Sequence, residues 1–255
     1  MKKLFLTVLA ALSFGVSPAM AAGGGIPWDK FPKERVTDMA ALQNGAKLFV
    51  NYCLNCHSAG YMRYNRMRDI GLTEEQIKSN LIFTEAKPGE LMKVSLDPRQ
   101  AKDWFGAVPP DLTVVARSRS APGQGSGSDY IYTFLRTYYR DDSKTTGWNN
   151  AAFPSVGMPH VLWELQGPQR AVYADVKDGH GGTAQVFQKV EPLAPGKLSE
   201  LEYNEAVADL VAYLTWMAEP MQNQRVRIGV WVLLFLTGFF VIAWRLNAVF
   251  WKDVK

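Results

Sequence analysis

Cys53-Leu54-Asn55-Cys56-His57 is a C-x-x-C-H run, and its two cysteines are the only ones in the chain. Two thiols three residues apart on a helical turn point the same way. Both can form thioether bonds to the vinyl groups of one porphyrin, and the adjoining imidazole of His57 can then ligate the iron. One covalently attached haem c is therefore the expected cofactor. Competing chemistries suit the residues less well. A thioredoxin-like redox pair calls for a βαβ context that the sequence does not offer. A structural zinc ion needs about four ligands, and no further cysteine is available. A disulfide across two residues closes a loop too small to stabilise much.

A six-coordinate haem needs a second axial ligand. Met158 is the candidate, because Gly157-Met158-Pro159 places a thioether in a stiff loop far along the chain from His57, and thioether ligation raises the reduction potential. His160, two residues on, is the rival. His180 lies in a glycine-rich stretch and reads as solvated. Met62 and Met67 follow the haem motif closely and read as packing residues.

Two helices are expected to position this chemistry. Thr37 or Asp38 can cap the first, whose apolar positions Met39, Leu42, Ala46, Phe49, Val50 and Cys53 recur at steps of three and four. It carries the motif at its C-terminal end. Gly45 within it costs about 1 kcal/mol relative to Ala, which close approach of another helix explains. Ser199-Glu200-Leu201-Glu202 is a capping box for the second, followed by Tyr203, Val207, Leu210, Leu214 and Met217 and ended by Pro220. Between them the sequence predicts a solvated turn over 61–68, a short helix capped at Thr73 and a rigid turn at Pro109-Pro110-Asp111-Leu112 opening a helix through Val115. A surface loop over 121–128, a helix over 129–139, a loop over 148–159 and a hairpin turn or loop at 179–182 follow.

The net charge of the 255 residues is +4, yet residues 22–220 hold 21 Lys and Arg against 23 Asp and Glu. The basic excess flanks apolar segments, a pattern of membrane topology that argues against nucleic-acid binding. Residues 1–21 read as a secretory signal peptide: Lys2 and Lys3, an apolar run, then Ala19-Met20-Ala21. Residues 228–244 form a run of 17 without a charge, nearly enough to span a bilayer at about 1.5 Å per residue. The expected organisation is a signal peptide (1–21), a periplasmic haem domain (22–222), a transmembrane anchor (223–247) in contact with lipid and a cytoplasmic tail (248–255). That makes a single-pass protein of a bacterial inner membrane.

Taken together, the Cys-Leu-Asn-Cys-His-Ser run, Tyr61-Met62-Arg63-Tyr64-Asn65-Arg66, Trp104-Phe105-Gly106, Pro109-Pro110-Asp111-Leu112, Val156-Gly157-Met158-Pro159 and one C-terminal span closely resemble the cytochrome c1 family, the haem subunits of cytochrome bc1 complexes. The resemblance covers essentially the whole mature chain. It implies a mainly α fold, a class I cytochrome c-like haem domain with enlarged loops plus one C-terminal transmembrane helix. It also implies haem attachment at Cys53 and Cys56, iron ligation by His57 and Met158, and contact of Arg119 and Tyr130 with a haem propionate. The implied partners are cytochrome b, the Rieske iron–sulfur protein and a cytochrome c acceptor, in a dimeric complex. The implied function is one-electron transfer from the Rieske protein to that acceptor, with no substrate bond chemistry in this subunit. Membership of another respiratory complex, a terminal oxidase or dehydrogenase, is the alternative; a haem enzyme or ligand sensor would require a vacant sixth position. Members with an additional cysteine pair differ from this chain, whose long insertion is expected to be held by packing alone.

Overall fold

The computed structural model describes residues 26–177 and 182–253. The signal peptide expected over 1–21, most of the turn expected at 179–182 and the last two residues of the tail lie outside the described residues.

Helices dominate. In chain order they are α1 (Met39–Leu48), α2 (Glu74–Asn80), α3 (Pro98–Phe105), α4 (Val115–Ser118), α5 (Gly127–Arg136), α6 (Trp163–Gln166), α7 (Glu200–Ala218) and α8 (Gln222–Phe250). Among the described residues three antiparallel pairs of strands interrupt them: β1 (Ala59–Arg63) with β2 (Leu91–Met92), β3 (Tyr138–Arg140) with β4 (Trp148–Asn150), and β5 (Gln169–Lys177) with β6 (Thr183–Pro192).

The core forms where α1 crosses α7. Asp38 caps α1 by accepting from the N–H groups of Ala40 and Ala41, and Leu42, Ala46, Phe49, Val50 and Cys53 are buried as the periodicity predicts. Met39, expected on the same stripe, is instead 52% exposed, because it lies in the first turn before the partner helix is met. Ser199 and Glu202 close the expected capping box of α7. Tyr203, Val207, Leu210, Leu214 and Met217 are all buried, and so are Ala208, Val211, Tyr213 and Trp216. A helix buried around most of its circumference is the centre of its domain. At the crossing, a Cβ on Gly45 would stand 2.1 Å from the Asp209 carbonyl oxygen and 2.7 Å from Tyr213 Cβ. The glycine is required by that contact. Beside it the buried Asp209 carboxylate accepts from Arg35 at 2.7 Å and Asn44 at 2.8 Å, so its charge is paired rather than orphaned.

Beyond Leu48 the first helix widens into a π turn, Phe49–Cys53, in which the Leu54 N–H reaches the Phe49 carbonyl at 3.0 Å. The predicted helix is therefore present, but its last turn is of the wide kind that recurs at functional sites.

The middle of the chain departs further from expectation. Residues 61–68 are strand β1 and a 3-10 turn rather than a solvated turn, with Met62, Tyr64 and Met67 buried in the core. The helix after Pro110 starts at Val115 instead of ending there. Helix α5 ends at Arg136, because Tyr138–Arg140 pairs in register with Trp148–Asn150, a distant contact that local periodicity cannot report. Strands β5 and β6 form a long hairpin, with Tyr173 opposite Phe187. The hairpin is tied to β3 by the Tyr139 and Tyr173 hydroxyls at 3.0 Å. Helix α8 is long and apolar enough to cross a membrane, and among the described residues nothing buries the most apolar part of its candidate span, Gln224–Phe250.

Candidate functional site

The π turn ends at Cys53, and two tight bonds fold the motif over it: the N–H groups of Cys56 and His57 both donate to the Cys53 carbonyl, at 3.1 and 2.8 Å. Cys53 is buried and Cys56 half-buried. Burial, reinforced by the neighbouring Cys56, pushes the Cys53 thiol up to about 12.

His57 is held by the proline corner. Its Nδ1 lies 2.8 Å from the Pro110 carbonyl oxygen. A carbonyl can only accept, so Nδ1 carries the proton and the Nε2 lone pair is left for a metal. Burial holds the imidazole pKa below its usual value, partly opposed by the Pro110 bond and the nearby Asp111. The ring is therefore neutral near pH 7, the form that ligates. The corner itself is fixed by Asp111, which accepts from Gly60 N–H at 2.6 Å and from Thr113 N–H at 2.8 Å, while Leu112 N–H bonds the Ser58 carbonyl at 2.9 Å. The motif and the corner that orients its histidine are thus one hydrogen-bonded unit.

Met158 enters from the loop after β4. Buried amide side chains hold this loop, in addition to packing. Asn150 Oδ1 accepts from Ala152 and Phe153 N–H at 2.9 and 3.0 Å, and its Nδ2 donates to the Phe134 carbonyl at 2.7 Å. Asn149 Oδ1 accepts from Ser155 N–H at 2.8 Å. Irregular backbone at depth needs such partners, and expecting packing alone overlooked them. Gly157 is not demanded by space: an added Cβ would sit 3.6 Å from its nearest neighbour, an ordinary contact.

Cys53, Cys56, His57, Met158, Arg119 and Tyr130, the six residues singled out in the sequence, all line one cavity of about 400 Å³. That volume lies in the range of about 300–1,000 Å³ usual for small-molecule sites. Its other walls are almost wholly apolar, with Ile131 and Leu135 from α5 and Leu210 and Leu214 from α7. Arg119 is the one side chain among them that is charged at neutral pH. Its guanidinium lies 5.9 Å from the Tyr130 ring centroid. An apolar slot with two thiols, an oriented imidazole, a thioether and one cation fits a flat macrocycle whose carboxylates gather at one edge. Sequence reasoning missed Phe105, Val108 and Phe153, which line the cavity and are also 38%, 50% and 48% exposed. They form an apolar lip at the surface.

The rival ligands fall elsewhere. His160 does not line the cavity. It is buried, its ring stacks on Tyr138 at 4.7 Å and 4°, and its Nε2 is bonded to Gln166 Oε1 at 2.7 Å. Burial, opposed by that bond, lowers its pKa to about 4. His180 lies outside the described residues. Met62 and Met67 belong to the core.

Comparison with known proteins gives one family and several relatives that match over most of their length. The family model described as the Cytochrome C1 family matches residues 33–178 and 198–254; the interval left between them holds β6. A cytochrome c1 of Allochromatium vinosum is 43% identical over 255 residues, 100% of both chains. A Nitrosomonas europaea protein named ammonia monooxygenase gamma subunit is 41% identical over 247 residues, 97% of each chain. A cytochrome c1 of Rhodospirillum rubrum is 27% identical over 249 residues, 86% of this chain and 83% of its own.

Proposed function

This chain belongs to the cytochrome c1 family, and from that premise we propose that it passes single electrons from a Rieske iron–sulfur protein to a cytochrome c on the periplasmic side of a bacterial inner membrane. Family membership itself makes it the haem-carrying electron-transfer subunit of a cytochrome bc1 complex, beside cytochrome b and the Rieske protein. It carries one covalent haem c and is anchored by a C-terminal helix.

The observation that carries the finer reading is the meeting of all six singled-out residues in one apolar cavity. When bound, haem c supplies a one-electron carrier whose potential the axial ligands set. Cys53 and Cys56 would hold it covalently. His57, oriented through Nδ1 by Pro110, and Met158 would ligate the iron. Arg119 and Tyr130 would face the propionates. An iron held by two protein ligands would suit electron transfer rather than substrate chemistry. The lip of Phe105, Val108 and Phe153 gives a partner a short, apolar approach to the cavity. Residues 1–21 are a cleaved signal, 22–222 the periplasmic domain, 223–247 the anchor and 248–255 the cytoplasmic tail. The complex is dimeric.

Substituting the ligands tests the site. Met158→Leu should keep the covalent haem, lower its potential and admit carbon monoxide to the ferrous protein. An unchanged potential and continued refusal of carbon monoxide would take the ligand role from Met158. Isolation of the native complex tests the assignment of partners: haem b and a Rieske centre should accompany this chain, and their absence would refute it.

A further inference from the structure

Behind the Met158 loop lies a side chain that the haem reading leaves without a role. Tyr138, the first residue of β3, is fully buried. Its ring packs edge-on against Phe134, with centroids 5.2 Å apart. Its own carbonyl accepts from Gln169 Nε2 at 3.1 Å, and its strand pairs with β4 at Asn150. Neither ring nor backbone has room to shift. From this fixed position the hydroxyl donates to the Met158 carbonyl at 3.2 Å, and the face of the ring carries the imidazole of His160.

We propose that Tyr138 is a positioning residue for Met158, gripping the loop at two points, by its hydroxyl at residue 158 and by its ring face at residue 160. The proposal rests on the reading of Met158 as an axial ligand and deepens it. A thioether is a neutral, weakly held ligand, so its sulfur stays in place only if the loop carrying it cannot drift. Partners one step behind a ligand orient it and so tune how firmly it is held.

His160 completes the grip. Its Nε2 bonds Gln166 Oε1 at 2.7 Å, and the Gln166 amide in turn donates to the Arg136 carbonyl at 3.0 Å. The imidazole is thereby fixed in plane over Tyr138, while Trp148 closes its edge at 5.1 Å. Among the described residues the buried His160 Nδ1 has no hydrogen-bond partner. Orphaned buried polar atoms are rare and call for a reason. A leucine or phenylalanine would pack here without that penalty but could not be held by Gln166. The orphan nitrogen is the cost of an oriented ring, and what the orientation secures is the loop that bears Met158.

Tyr138→Phe is the discriminating variant, since it keeps the ring, its volume and both ring contacts and removes only the hydroxyl. Made in the full chain with haem attached, it should weaken the long-wavelength charge-transfer band of methionine-ligated ferric haem. It should also raise the apparent carbon monoxide affinity of the ferrous protein about fivefold, the factor expected for one neutral hydrogen bond. His160→Ala should move both readouts the same way, and His160→Phe, which keeps a flat ring over Tyr138 but loses the Gln166 bond, should return them only part of the way toward wild type. A merely structural tyrosine would lower the melting temperature and leave band and affinity untouched; that result, or no change at all, overturns the proposal. Met158→Leu is the companion measurement. If it leaves the band intact, the ligand assignment has failed. If it abolishes the band while Tyr138→Phe and His160→Ala match wild type, only the positioning role has failed.

Discussion

Gly45→Ala sets two effects of opposite sign against each other at the crossing that presents the haem motif. On an exposed helix the change would stabilise by about 1 kcal/mol, the difference in helix propensity. Here the new methyl group would stand 2.1 Å from the Asp209 carbonyl oxygen and 2.8 Å from its carbon. Those atoms are helix backbone and cannot swing aside. An ordinary carbon contact is about 3.5 Å, so α1 and α7 must part by at least about 1 Å locally. A gap of about 0.5–1 Å forfeits a quarter to a half of each contact's attraction, and the side chains affected include Phe49, Leu210 and Tyr213, all buried. Overpacking of this kind costs about 1–3 kcal/mol, and loosening the Arg35 and Asn44 bonds to Asp209 adds to it. With overpacking at about 2 kcal/mol, about 1.5 kcal/mol lost from the charge-assisted bonds and about 1 kcal/mol returned by helix propensity, the net expectation is a loss of about 2–3 kcal/mol. For a domain of this size that is a fall of about 4–12 °C in melting temperature, read by near-ultraviolet circular dichroism of the haem-loaded protein. A variant that melts at or above the wild-type temperature would refute the close crossing.

Three further outcomes follow from individual contacts. Asp129 is buried and accepts from Phe31 N–H, Ser126 N–H and Lys30 Nζ, pinning the N-terminal arm to α5. Burial pushes its carboxyl up, but those hydrogen bonds outweigh it and hold the pKa below the usual carboxylate value. A depressed folded pKa means stability that is present above the unfolded value of about 4 and lost as pH falls through the folded one. Acid titrations should show this step in the wild type and not in Asp129→Asn, which should also be less stable at neutral pH by about 2 kcal/mol. Asn150→Ala removes the acceptor for two N–H groups and the donor to Phe134; it should cost about 3 kcal/mol in denaturant titrations and raise carbon monoxide affinity by freeing the loop that leads to Met158. Truncation before Arg225 should release a soluble haem protein, since the core ends with α7; an exported product that cannot retain haem would place the boundary elsewhere.

What could be read in the chain depended on how local each signal is. The cap of α2 at Thr73, the capping box of α7, the stripe from Tyr203 to Met217 and the C-x-x-C-H motif are each written within a short stretch of sequence, and the two caps and the stripe are found where they were expected. Gly45 was legible because a glycine inside an apolar stripe needs a neighbour, and Asp209 and Tyr213 are that neighbour. Tyr138 was not legible: it continues an aromatic run that reads as helix, and only pairing with Asn150 turns it into a strand. Asn149 and Asn150 look like loop residues in the sequence, because an amide that organises buried backbone has the same letter as one in solvent. A hairpin turn or loop was expected between β5 and β6, but the strands themselves were missed, for a different reason. Tyr173, Val176 and Val186 are all substantially exposed, so the strands lack the one-sided burial that would make their alternation visible. The cavity lip of Phe105, Val108 and Phe153 escaped notice because its members lie on two segments about fifty residues apart.

The most direct test of electron transfer through this chain is rapid mixing of the isolated complex with quinol, then with ferric cytochrome c, while the absorption band of the covalent haem is followed. The haem should be reduced by quinol only when the Rieske protein is present, and reoxidised as cytochrome c is added. A covalent haem that is reduced equally well in complex depleted of the Rieske protein, or that stays reduced in the presence of ferric cytochrome c, would contradict the proposed route.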